Sequence, residues 1–318
     1  MIHTRNLTRE FHTKGETVQA VKGLDIDVEA GELVSFLGPN GAGKSTSLRM
    51  LTTLLLPTSG SATVAGRDVV ADPNGVRAAI GYVGQGNGAG GDQRVRDELV
   101  NQGRFCGLTK AEARTRAGEL LEMLELDATA DRQADRLSGG QRRRLDIAMG
   151  LIHRPGLLFL DEPSTGLDPH SRANLWEHIL RLRADQGTTV FMTTHYLDEA
   201  DAMAERVMVI DDGRIIADGT ADDLKGKVSG DLVAFGVAEP GEAERAAAAA
   251  RPLADAGGVQ TDGTELRMRV SRGEEALPGL LRALDEAGVR LTTVRVQRPT
   301  LDDVFLTLTG RSLREGEG

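Results

Sequence analysis

The chain has 318 residues, 40% hydrophobic and 27% charged, enough apolar material for one large globular domain or two ordinary ones. A net charge of −10 and 3% aromatic residues exclude a nucleic-acid binder that works through a positive surface or base stacking, so no nucleic-acid partner is expected. The one cysteine, Cys106, leaves no internal disulfide and no thiolate metal cage, and points to a reducing compartment.

In chain order, the β-branched alternation over residues 18–28 predicts an antiparallel hairpin layer. The apolar run 33–37 ends in a Gly-rich turn, run 157–160 ends at Asp161 and Glu162, and run 188–193 ends just before His195. Unbroken apolar runs fit strands buried on both faces of a largely parallel sheet, and polar residues at their ends fall where open α/β sheets bind ligands. Residues from about 95 to 153 read as an inserted helical subdomain, with Leu120, Leu121 and Leu124 sharing one face of a helix over 110–124. Composition shifts after Lys227, with a joint at 228–231, so domains are expected at 1–227 and 228–318. In the second, residues 243–256 are helix-prone, while Leu266, Met268 and Val270 alternate as a strand does. Leu277, Leu280, Leu281 and Leu284 form a helical stripe, residues 291–296 a strand, and Leu301, Val304, Phe305 and Leu308 a last helical stripe. The strand-helix-strand-strand-helix-strand order predicts a small α+β ferredoxin-like layer with an appended helix. No apolar run approaches the ~18–20 residues that span a bilayer. No apolar segment near Met1 reads as a signal peptide, so a cytosolic chain is expected.

The decisive segment is Gly38, Pro39, Asn40, Gly41, Ala42, Gly43, Lys44 and Ser45, followed by Thr46, which satisfies G-x-x-x-x-G-K-[ST]. Phosphate oxygens need several backbone N–H donors at once, and glycines let the backbone turn tightly enough to supply them. Lys44 brings a point charge to the β- and γ-phosphates of ATP, and the Ser45 hydroxyl can ligate Mg²⁺. A helix expected from Lys44 through Leu48, Leu51 and Leu55 adds its positive N-terminal end. A Gly-rich turn alone would carry little meaning, but this one lies between an apolar strand and an amphipathic helix, as the chemistry requires. Beside such a loop, Asp161 is expected to hold Mg²⁺ through water and Glu162 to orient or deprotonate the attacking water. Leu137, Ser138, Gly139, Gly140 and Gln141 precede a helix carrying Leu145, Ala148, Met149 and Ile152. Ser138 suits an N-cap, and Gly139 and Gly140 offer bare backbone N–H groups, a second anion site with no phosphate of its own.

Together these motifs resemble the ATP-binding subunits of ABC transporters, over residues 1 to about 225. The resemblance implies an α/β P-loop NTPase fold with an inserted helical subdomain. It also implies ATP and Mg²⁺ as cofactors, with Ser45, Gln85 and Asp161 at the metal and Glu162 and His195 as catalytic residues. Gln85 matches the family's loop glutamine, His195 its switch histidine at the γ-phosphate, and Phe11 the aromatic that stacks on adenine. It implies a head-to-tail dimer with a second copy, in which Ser138, Gly139, Gly140, Gln141 and Asp168 meet the ATP held by the partner.

Three further stretches, 194–201, 217–220 and 298–308, resemble the daunorubicin-resistance type of these subunits. That type implies export of a hydrophobic or amphiphilic compound through a separate polytopic membrane permease, with the chain on the cytoplasmic face of the cell membrane. The C-terminal unit reads as a docking or dimerisation layer with no substrate role. An importer ATPase with a regulatory tail, which would be a β-rich barrel, stays open, as does a non-transport soluble ABC ATPase. The latter would join two such units or carry a long coiled coil, and here one signature and no sustained heptads occur. Residues 84–91 depart from the family pattern: five of the eight are glycine, which predicts a flexible segment where the family couples its ATP site to the permease.

Overall fold

The computed structural model describes residues 1–13, 15–86, 88–227, 230–255 and 258–310. Contacts divide the chain into two compact units between Ala221 and Asp222, upstream of the expected joint at 228–231, of which Val228 and Ser229 lie outside the described residues.

The first unit begins with β1 (Ile2–Thr13) and β2 (Glu16–Val28), the expected hairpin, then β3 (Leu33–Leu37) and α1 (Lys44–Leu51). It continues through β4 (Ser59–Val64), β5 (Arg67–Asp68), α2 (Pro73–Ala79) and β6 (Ile80–Val83). The inserted helices are α3 (Val95–Phe105), α4 (Lys110–Met123) and α5 (Gly139–Leu151). After them come β7 (Leu157–Asp161), α6 (Pro169–Gln186), β8 (Thr189–Thr194), α7 (Leu197–Met203), β9 (Arg206–Asp211) and β10 (Arg214–Gly219). The central sheet has the order β10-β9-β3-β8-β7-β6, parallel except for the β10 edge, and the smaller antiparallel sheet has the order β2-β1-β4-β5.

Every residue of β3, β7 and β8 is buried, which is why these strands carry no polar alternation. Period-two geometry sends their side chains into two cores. Leu33, Leu158, Leu160, Val190 and Met192 meet the inserted helices, among them Leu120, Leu121 and Leu124. Val34, Phe36, Leu157, Phe159 and Phe191 meet the hairpin sheet and α1. Because β3, β6, β7 and β8 run parallel, the loops after all four open on one edge of the sheet. The candidate site lies on that edge.

Helix α1 stops at Leu51 and does not run on to Leu55. The Thr52 hydroxyl donates to Leu48 O and Thr53 takes a left-handed φ of 63°, a turn that redirects Leu55 to the core flank.

The second unit follows α8 (Ala221–Gly226), which spans the boundary, with β11 (Asp231–Val237), α9 (Pro240–Ala250), β12 (Val259–Asp262) and β13 (Glu265–Val270). It closes with α10 (Gly273–Glu286), β14 (Leu291–Gln297) and α11 (Leu301–Thr309). The sheet order β12-β13-β11-β14, antiparallel at every pairing, is the ferredoxin-like arrangement expected from the sequence. Phe235, Leu266, Met268 and Val270 pack on Ala243, Ala246, Ala250, Leu280 and Leu284. Two stripe residues differ from expectation. Leu281 is 41% exposed, because α10 turns Leu280 and Leu284 inward, and Leu308 is 49% exposed, while Leu301, Val304 and Phe305 are buried. Helix α9 ends at Ala250, ahead of Pro252, which cannot continue its hydrogen bonding; Ala256 lies outside the described residues.

Candidate active site

The loop after β3 curls back on itself. Gly38 lies so close to β9 that an added Cβ would sit 2.2 Å from Ile210 O, and Gly43 combines a φ of 103° with a Cβ position 2.5 Å from Ala20 O. Side chains at either position would force the backbone apart. Within the curl, between Gly38 and Gly43, lie Pro39, Asn40, Gly41 and Ala42, and Gly43 leads into α1 at Lys44. The Lys44 ammonium donates to Gly38 O (2.7 Å) and Pro39 O (3.1 Å) and lies 3.4 Å from Glu162 Oε1. Burial lowers its pKa, and Glu162 followed by Asp161 opposes that shift. Thr46 follows Ser45 in the first turn of α1.

Two side chains, Asp161 and Gln85, meet at Ser45. Its hydroxyl donates to Asp161 Oδ1 (3.0 Å) and accepts from Gln85 Nε2 (3.1 Å), and Thr193 Oγ1 donates to the same Asp161 oxygen (2.7 Å). One residue on, Glu162 has a φ of 47°, left-handed for a residue with a side chain, at a cost of about 1–2 kcal/mol. Its N–H is held by Thr193 O (3.2 Å) and Thr193 Oγ1 (3.0 Å), and its carboxylate reaches Lys44 and His195 Nδ1 (3.3 Å). The His195 ring, and Lys44 after it, hold the Glu162 carboxyl below the usual carboxylate range against the opposing effect of burial. Glu162 is therefore ionised at neutral pH, the state a proton acceptor needs.

Lys44, Ser45, Gln85, Asp161, Glu162 and His195 are thus gathered at one edge by four different loops. Phe11 stands apart from that cluster, exposed on the hairpin opposite Val18, with the Arg9 guanidinium 4.6 Å from its ring centre. Two residues beyond Val18 on the same strand, Ala20 presents the carbonyl that approaches Gly43, so the hairpin runs past the phosphate loop.

Ser138, Gly139, Gly140, Gln141 and Asp168 form a second group, and no hydrogen bond among the described residues joins them to the phosphate loop. The Ser138 hydroxyl accepts from Gln141 N (3.3 Å) while Gln141 Oε1 accepts from Ser138 N (3.1 Å), a capping box that starts α5. Asp168 caps α6 through Ser171 N (3.0 Å), and Ser171 Oγ donates to its other carboxylate oxygen. A Cβ on Gly140 would sit 2.9 Å from Ser171 Oγ, so the two helix starts lie side by side. The α5 start carries the first-turn N–H groups of Gly139 and Gly140 and a positive dipole end, whereas α6 opens on Pro169, which has no N–H, and its next amides go to Asp168.

Residues 21–165 match the ABC transporter family, and residues 219–309 match the C-terminal domain of the DrrA1-3-like ATP-binding proteins. The chain is 46% identical to the daunorubicin resistance ATP-binding protein DrrA3 of Streptomyces coeruleorubidus, over 94% of each chain. It belongs to the ABC transporter ATP-binding subunits. It is 42% identical to the daunorubicin/doxorubicin resistance ATP-binding protein DrrA of Streptomyces peucetius, over 95% of this chain and 93% of that one. A dimeric ATP-binding cassette in a post-hydrolysis state, bound to ADP and Pi, superposes with a TM-score of 0.64 at 28% identity, covering 69% of this chain and 98% of that one. As a member of this family the chain is an ATPase.

Several ABC-subunit residues at the site carried no sequence signal of their own. Thr193 was visible only as a neighbour of His195, yet it bridges Asp161 and the Glu162 backbone. Glu199, buried in the first turn of α7, accepts from Ser164 Oγ and from Thr194 Oγ1 (2.8 Å), tying the turn before Asp168 to the end of β8 at Thr194. Arg143 and Asp146, on α5, belong to no motif in the sequence. The described part of segment 84–91 is tethered to them; Asn87 lies outside the described residues.

Proposed function

We propose that this subunit hydrolyses ATP to energise export of a hydrophobic or amphiphilic compound through a separate polytopic membrane permease, held at the cytoplasmic face of the membrane by that permease. The convergence of Lys44, Ser45, Gln85, Asp161, Glu162 and His195 on one sheet edge carries the reading of the site. The Gly38–Thr46 backbone and Lys44 would bind the triphosphate, and Phe11 the adenine. Glu162 accepts the proton of the attacking water as the new oxygen–phosphorus bond forms and the β–γ bridge breaks, leaving ADP and phosphate. His195 Nδ1 lies 3.3 Å from the Glu162 carboxylate, and the ring would meet the γ-phosphate beside it.

Ser45 Oγ, the Asp161 carboxylate and the Gln85 amide, whose oxygen faces Ser45 when the amide turns over, form a hard-oxygen donor set that fits Mg²⁺. When bound, the cation would neutralise charge on the β- and γ-phosphate oxygens. A second copy would bring Ser138–Gln141 and Asp168 to this ATP, which accounts for a helix start at Ser138 whose glycine donors lie away from their own phosphate loop. No helix among the described residues is long and apolar enough to cross a membrane, which fits a separate permease. The helix-covered sheet of the C-terminal unit differs from the β-rich barrel that an importer's regulatory tail would need.

The test is efflux from cells expressing the subunit together with its membrane permease. An amphiphilic drug such as an anthracycline should be lost from these cells faster than from cells carrying Glu162→Gln. Equal retention in both refutes export.

A further inference from the structure

Five glycines in segment 84–91 predict flexibility, yet helix α5 grips it at its first residue, Gly84, and again at Gly88 and Ala89. Arg143 Nη1 donates to Gly84 O (2.7 Å), immediately before Gln85, and Asp146 Oδ1 accepts from Gly88 N (2.9 Å) and Ala89 N (3.2 Å). The same Arg143 guanidinium donates through Nε to Pro163 O (2.7 Å) and through Nη2 to Asp161 O (3.2 Å), the carbonyls on either side of Glu162. Arg143 and Asp146 lie one turn apart on one helix face, 8% and 5% exposed, with Nη1 and Oδ2 4.0 Å apart. A guanidinium is the side chain that can reach three carbonyls in one plane, and a lysine ammonium lacks that fork.

We propose that Arg143 and Asp146 form a positioning clamp for ATP hydrolysis, holding the Gln85 loop and the Glu162 turn in one register against the helix that Ser138 caps. The proposal rests on the reading of Gln85 and Glu162 as ATP-site residues. Neither clamp residue touches ATP. Their action is mechanical: a shift of α5 moves Gly84 O, Asp161 O and Pro163 O together, so Gln85 and Glu162 move as a unit. Burial pushes the Asp146 carboxyl up and the Arg143 guanidinium down; the Gly88 N–H and then the Arg143 charge oppose the first shift, and the Asp146 charge opposes the second. The clamp therefore depends on both partners.

The test uses the full-length protein with Arg143→Gln, Arg143→Lys and Asp146→Ala, read by steady-state ATP turnover and by amide exchange of segment 84–91 and residues 161–163. Arg143→Gln should lower kcat by about tenfold or more while KM for ATP moves less than about threefold, because the phosphate loop is untouched. Exchange should quicken in both segments, and Arg143→Lys should restore little. Asp146→Ala, which leaves the Glu162 turn bonded, should quicken exchange at Gly88 and Ala89 and lower kcat less, so the clamp stays testable where Arg143→Gln fails to fold. Faster exchange with unchanged kcat in either variant overturns the clamp, as does a lowered kcat with unchanged exchange. Glu162→Gln measured alongside separates the two readings. Retained turnover there refutes the site assignment, whereas lost turnover there with normal Arg143→Gln refutes the clamp alone.

Discussion

Replacing Glu162 by glutamine keeps the shape of the side chain and removes its charge and basicity. The charge lies 3.4 Å from a buried ammonium on one side and 3.3 Å from the His195 ring on the other. Loss of a positioned general base slows a reaction by about 10²–10⁴-fold, so turnover should fall by at least about 10²-fold. Nucleotide-free stability should fall too, since Lys44 loses a charged partner in a site where its ammonium is 4% exposed. A hydrogen bond to a charged group is worth about 1.5–3 kcal/mol, and Asp161 stays close enough to keep the loss within that range. In a unit of this size that lowers Tm by roughly 3–12 °C. ATP brings its own negative charge to Lys44, so saturating ATP should narrow the Tm gap between the two proteins and leave the turnover gap unchanged. The assays are phosphate release under saturating ATP and thermal unfolding with and without the nucleotide. Turnover within about threefold of the unmodified protein would move the base away from Glu162. A Tm gap that ATP leaves unchanged would show that Lys44 does not exchange Glu162 for phosphate.

Lys44→Ala should weaken ATP about 10–150-fold in a titration, the loss of one charge-assisted hydrogen bond to the phosphates; unchanged affinity refutes the phosphate loop. His195→Ala removes the main cause of the lowered Glu162 pKa and leaves burial to raise it, so the acid limb of the residual turnover should move to higher pH. The His195–Glu162 pair contributes its stability above the ordinary carboxylate pKa and loses it as pH falls through the depressed folded value, so acid unfolding of His195→Ala should depend less on pH in that window; matching pH profiles would contradict the coupling. Ser138→Arg removes a helix N-cap, at about 1 kcal/mol in unfolding measurements, and should block turnover while nucleotide binding to the single chain persists; loss of that binding counts against a role across the dimer. A chain ended at Gly226 should bind ATP within about threefold of the full length and co-purify poorly with its permease; lost ATP binding would refute the independence of the first unit.

What could be read directly was chemistry written in consecutive residues. The Gly38–Ser45 loop is contiguous, and its strand, turn and helix are each set by local pattern, so its reading as a phosphate loop came from the residues alone. Asp161 and Glu162 were legible because four apolar residues end at them, and Leu137–Gln141 because Ser138 and Gln141 stand at capping-box spacing. The same patterns carried the C-terminal strands and helices, while the exposure of Leu281 and Leu308 did not follow, since periodicity marks an apolar stripe without saying how much of it a neighbour covers. Arg143 was illegible for a different reason. Its three acceptors are backbone carbonyls, which every residue possesses, at positions 18, 20 and 59 residues away in the chain. The glycines of segment 84–91 likewise reported a backbone free to bend, and the order came from a carboxylate and a guanidinium on another helix. Local sequence determines which groups can bond; only the packing of separate loops decides which carbonyl each buried donor meets, because a main-chain acceptor leaves no mark in the sequence.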